Sequence, residues 1–151
     1  MRMQYDDFVR EVKNRAKLGS EGEAVRAIRA TLETLSERLA GGEPKDLASQ
    51  LPRQLGDYLM VSPDAGCGEP FTLQEFFRRV SAREALDLPD SVFHARCVME
   101  VLKEALSPGE WADMCAQMPT DYAPLFEPGS TGNLKDQTKT KQTEADLRKA
   151  A

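Results

Sequence analysis

Gly42-Glu43-Pro44-Lys45-Asp46-Leu47-Ala48-Ser49-Gln50-Leu51-Pro52 has a counterpart later in the chain, Gly109-Glu110-Trp111-Ala112-Asp113-Met114-Cys115-Ala116-Gln117-Met118-Pro119. Five of the eleven positions are identical: Gly42/Gly109, Glu43/Glu110, Asp46/Asp113, Gln50/Gln117 and Pro52/Pro119. Leu47/Met114 and Leu51/Met118 exchange one apolar side chain for another, and every pair keeps the same separation along the chain. A fixed internal period of this kind marks the duplication of one supersecondary unit. The apolar residues around both copies recur at helical spacing, so the chain reads as all-α. Two tandem pseudo-repeats of three to four helices each, about 5–59 and 72–126, are expected to pack around one shared core in a single domain, 1–126.

Upstream of the first copy, Tyr5, Phe8 and Val12 define a helix over Tyr5–Arg15. Ser20-Glu21-Gly22-Glu23 fits a capping box that opens a long helix. Its apolar stripe is Val25, Ile28, Leu32, Leu35 and Leu39; Arg26, Arg29, Glu33 and Glu37 take the opposite face. Arg29 and Glu33 are placed to pair four residues apart. Gly41-Gly42 stops the helix, since glycine accepts the positive φ of a helix end. After the first copy, Leu55, Tyr58 and Leu59 supply a short apolar segment. Residues 61–70 read as a polar surface connection.

The second half repeats the order. Thr72 and Glu75 have the spacing of a capping box, and Leu73, Phe76, Phe77 and Val80 form the stripe of the helix that follows. Phe8/Phe76 and Val12/Val80 are separated by one position more than the later pairs, so one residue is lost in the next loop. Residues Ser91–Leu106 form the second long helix, and Ser107-Pro108-Gly109-Glu110 combines a Ser cap with a Pro suited to the first turn. This helix repeats the stripe with Val92, Ala95, Met99, Leu102 and Leu106, and adds Phe93, Cys97, Val98, Val101 and Ala105 around its circumference. A helix apolar on most sides must be enclosed, which makes it the expected centre of the domain. Residues 127–151 hold only Leu134 and Leu147 among large aliphatics and no aromatic side chain, so they read as a polar, flexible tail.

With 40% hydrophobic and 30% charged residues, the composition is that of an ordinary water-soluble domain. A formal charge of −5 gives no general attraction for nucleic acid or anionic lipid. No apolar run matches a membrane span, and the N-terminal stretch has no signal-peptide core. Three cysteines at irregular spacing do not form a disulfide framework and fit a reducing cytoplasm.

His94, Cys97 and Cys115 are the metal-ligand types nearest one another in the pattern. Their counterparts in the first half are Ala27, Ala30 and Ala48, so core filling is the expected role and no metal site is assigned. Cys67, in Asp64-Ala65-Gly66-Cys67-Gly68-Glu69, reads as an exposed thiol without a base. The recurring acids Glu43, Asp46, Glu110 and Asp113 would need to converge to do acid–base work. First-turn positions favour acids anyway, so helix capping is the reading preferred for them. Arg10/Arg78 and Arg15/Arg83 recur with Lys13 and Lys17 nearby, but Asp6, Asp7, Glu11, Glu84 and Asp87 accompany them, which makes a solvated face rather than a phosphate site. No residue is assigned a catalytic or cofactor-binding role.

Ala27-Ile28-Arg29-Ala30-Thr31-Leu32, Leu35-Ser36-Glu37-Arg38-Leu39, both Gly-Glu pairs, Phe76-x-x-Arg79-Val80, Val98-Met99-x-Val101-Leu102 and Ala116-Gln117-Met118-Pro119 together resemble a family of small prokaryotic proteins. That family is known as domain of unknown function 2267. The resemblance covers about residues 5–126 and implies an all-α fold of two repeats, with no substrate, cofactor or catalytic residue attached. The function expected is a non-enzymatic protein-interaction or regulatory module, self-association included. A small apolar ligand held between the repeats, in a pocket lined by Met99, Trp111, Met114 and Met118, is the alternative, and nucleic-acid binding ranks third.

Overall fold

The structure, a computed structural model, describes residues 3–126. The expected tail, 127–151, lies outside the described residues. Helices in chain order are α1 (Tyr5–Arg15), α2 (Glu21–Arg38), α3 (Glu43–Ser49), α4 (Arg53–Tyr58), α5 (Leu73–Glu84), α6 (Leu88–Ala105) and α7 (Pro108–Ala116). A 3-10 turn, Thr120–Tyr122, then runs into α8 (Ala123–Phe126). The fold is all-α. Helices of 11, 18, 7 and 6 residues are followed by helices of 12, 18 and 9 and then the turn and α8.

Local chemistry sets the boundaries. Ser20 and Glu23 form the full capping box of α2, whereas Thr72 and Ser107 cap α5 and α7 through their side-chain oxygens alone. Gly41 supplies the positive φ (62°) after α2, while Gly42 keeps a negative one. α6 begins three residues earlier than the apolar spacing suggests, because Pro89 fits within its first turn. Two helix ends use the left-handed region without glycine: Lys17 after α1 (φ 56°) and Ala85 after α5 (φ 59°). They stand in the same register as Phe8 and Phe76, so the two first helices end alike.

Packing crosses the two halves. α1 lies against α2 and α6, and α5 against α6 and α2, so each first helix touches the long helix of both halves. The buried residues join in one cluster that includes Phe8, Ile28, Leu32, Phe76, Val98 and Tyr122. Val98 and Val101 are fully buried, as an enclosed α6 requires. The narrow stripe expected of α2 is corrected: Ala24, Ala27, Ala30, Thr31, Thr34, Ser36 and Glu37 are buried too, and Val25 is only half-buried. Small side chains let neighbouring helices approach, and the hydroxyls are satisfied within the helix. Thr31 and Thr34 donate to the carbonyls of Ala27 and Ala30, each at 2.8 Å, the back-bonding open to a threonine inside a helix.

The connection between halves is laced to the end of α2. Gly66 N–H donates to Ser36 O, Gly68 N–H to Leu39 O and Glu69 N–H to Glu37 O, at 2.8, 3.0 and 3.0 Å. Gly66 has a φ of 82°, and a Cβ there would sit 2.7 Å from Gly41 O. Glycine is therefore required for room and for conformation. Phe71 then takes two bonds on its carbonyl, from Arg38 Nε (3.1 Å) and Tyr122 Oη (2.7 Å). The Arg79 guanidinium lies 4.0 Å from the Phe71 ring centroid, within reach of a cation–π contact.

Candidate functional site

The repeated stretch brings its own two copies together, because α3 packs on α7. Gln50 accepts from Ser107 N–H at 2.8 Å and donates to Ser107 Oγ at 3.2 Å. Gln117 accepts from Ala40 N–H at 2.9 Å. Ala40 and Ser107 are counterparts in the register of the repeat, so each glutamine secures the entry to the other half's short helix.

Glu43, Asp46 and Glu110 converge in the same place, with carboxylate oxygens within 4.8 Å of one another. Among the described residues they form the only trio of His, Cys, Asp or Glu side chains this close. Glu43 is 8% exposed, and Oε1 of both Glu43 and Glu110 is shut off from solvent without a hydrogen-bond partner. Burial, then the adjacent Glu110 carboxyl and the charges of Asp46 and Asp113, raises the Glu43 pKa to about 7, since both effects disfavour the charged form. First-turn position does not account for this geometry. A capping Glu reaches back to a backbone N–H, whereas these oxygens face one another.

The other residues singled out in the sequence go elsewhere. His94 is buried with Nδ1 2.5 Å from Glu84 Oε2, and Glu84 is buried as well rather than lying on a solvated face. Cys97 is fully buried and its thiol is pushed up to about 12 by desolvation; burial also raises Cys115. These three do not assemble into a group. Cys67 is exposed. Arg10 pairs with Asp7 and Arg78 with Glu75; Arg15 pairs with Glu11, Glu100 and Glu104.

Glu37, placed by periodicity on the solvent face of α2, is instead the centre of an ionic cluster. Arg83 reaches it at 2.5 and 3.0 Å, Arg79 at 3.1 Å and Ser62 Oγ at 2.7 Å. Burial alone would raise its pKa, but the bonds from Arg83, Ser62 and Arg79 outweigh that and hold it below the usual carboxylate range. The cluster ties α2 to α5 and the connection.

A concavity of ≈ 520 Å³ opens beside α3 and α4, where Met3, Ala48, Leu51, Pro52, Gly56 and Met60 share the lining with Gln4, Arg53 and Asp57. Met60 is 51% exposed and Val61, next to it, 53%. The apolar spacing assigns neither side chain to a stripe, and their position just beyond α4 is the only signal in the sequence.

With that geometry in place, comparison with known proteins identifies the chain. The family described as "Uncharacterized conserved protein (DUF2267)" matches residues 5–125, and the chain belongs to it. No curated protein matches the chain. No helix among the described residues is long and apolar enough to cross a membrane.

Proposed function

We propose that this member of the family is a non-enzymatic protein-interaction module, and that it docks a partner on the apolar groove beside α3 and α4. The observation that carries the reading is the exposure of Met60, in a concavity that Leu51, Pro52 and Ala48 also line, with exposed Val61 next to it in the chain. Isolated exposed apolar residues need no account, but adjacent ones beside an apolar groove mark an interaction surface. Methionine adapts its shape to a partner's side chains. Arg53 and Asp57 in the lining offer both signs of charge for orientation. The fit is to an amphipathic helix or extended segment that inserts apolar side chains. A small apolar ligand held between the repeats is the alternative, and Met99 and Met114, the residues expected to line its pocket, are buried. Free thiols at Cys67, Cys97 and Cys115 agree with a cytoplasmic setting.

The test is Met60→Asp combined with Val61→Asp. The variant should keep the circular dichroism and melting temperature of the parent, since both side chains face solvent. It should lose proteins that the parent retains in affinity capture and that bind the purified parent directly. Equal retention by parent and variant would remove the groove from the reading.

A further inference from the structure

We propose that Glu43, Asp46 and Glu110 form a site for one hard divalent cation held between the two halves. The three carboxylates come from α3 and α7 and lie within 4.8 Å of one another. An acidic cluster at a surface is ordinarily solvated, and its oxygens are satisfied by water. This one differs, because Glu43 is more than nine-tenths buried, and Oε1 of Glu43 and of Glu110 are closed off from solvent beside each other's carboxyl group with no donor from the rest of the described chain. Buried carboxylate oxygens without a donor are costly, and a cation among the three carboxylates would satisfy them together.

The donor set determines the class of ion. Three carboxylates offer oxygen alone, without thiolate or imidazole, which suits calcium, magnesium or manganese rather than zinc or copper. Asp46 is exposed, so water can complete the coordination on that side. Asp113, the counterpart of Asp46, is also exposed and adds charge near Glu43. Ion binding would fasten α3 to α7.

The experiment is calorimetric titration of the full chain with calcium, magnesium and manganese chlorides, paired with thermal unfolding. It is run at an ionic strength of about 0.15 M, where a screening length of about 8 Å suppresses diffuse attraction. The pH is held at about 8, well above the ordinary carboxylate range. At least one ion should bind with a stoichiometry of one per chain and raise the melting temperature. Glu43→Gln and Glu110→Gln should each weaken that binding by about tenfold or more. Asp90→Asn, at an exposed acid on α6, should leave it unchanged. Asp46→Asn, also exposed, supplies the reading if a glutamine variant fails to fold. Absence of binding for all three ions would overturn the proposal, as would binding that Glu43→Gln, or in its place Asp46→Asn, leaves unchanged.

Discussion

Two buried glutamates give the molecule opposite responses to pH. Glu37, held ionised by Arg83, Ser62 and Arg79, has a folded pKa below its ordinary value. Its contribution is therefore complete above the carboxylate range and is lost as pH falls through the folded pKa. Glu43 has a folded pKa raised from 4.5 to about 7, so the folded chain holds an extra proton in that interval. Its contribution is complete below the ordinary value and is lost as pH rises through about 7. In the presence of a chelator, the parent should therefore lose stability on passing from about pH 5 to about pH 8, by roughly 1–3 kcal/mol. Glu43→Gln should flatten that part of the profile. Glu37→Gln should cost about 1–3 kcal/mol at neutral pH, because Arg83 loses its carboxylate partner while Arg79 keeps Glu69 and Glu75. Chemical denaturation across pH measures both, and a profile unchanged by Glu43→Gln would refute the assignment to that residue. Neither role was readable from spacing. Periodicity assigns a side chain to a face of its own helix, but the arginines that bury Glu37 and the carboxylate that meets Glu43 arrive from the other half.

At the level of the helices, much of the architecture was legible and the corrections are physical. Capping residues and apolar spacing placed α1, α2 and α5 well, because Ser20 and Thr72 announce their helices and Phe8 and Phe76 mark the core faces. α2 looked half-solvated because alanine, serine and threonine carry little hydrophobic signal, although helices pack closely over them. The left-handed ends at Lys17 and Ala85 were hidden for a related reason: no glycine marks them. A side chain in that region costs on the order of 1 kcal/mol. Ala85 is exposed and ends α5. Ala85→Gly should relieve the strain and stabilise the protein by about 0.5–1 kcal/mol. Denaturant midpoints of parent and variant check this, and a loss of stability would show that the Ala85 methyl group makes a contact outweighing its strain.

For the whole molecule, the central question is whether the apolar circumference of α6 serves the core or a partner. Val98 and Val101 are fully buried within one chain, which assigns that face to the core. Val101→Glu should therefore abolish cooperative folding, since burying an unpaired carboxylate costs several kcal/mol in a domain of ordinary stability. A folded monomeric variant by circular dichroism and sedimentation would contradict the enclosed-core account. One core drawing on residues before and after the connection was legible from the apolar circumference of α6. The cross-packing of α1 on α6 and α5 on α2 was not, because a repeat fixes what each half contains and leaves open how the halves embrace.

The exchange of Gln50 and Gln117 between halves has the form of an isologous contact, in which the same surface is used twice across one axis. Between separate chains such a contact would be diluted away at low concentration, and Glu43 meeting Glu110 would oppose it further. Within one chain the connection holds the two surfaces at an effective concentration on the order of millimolar or above. The association no longer depends on how much protein is present. Covalent continuity thus keeps the facing carboxyl groups of Glu43 and Glu110 together at any protein concentration.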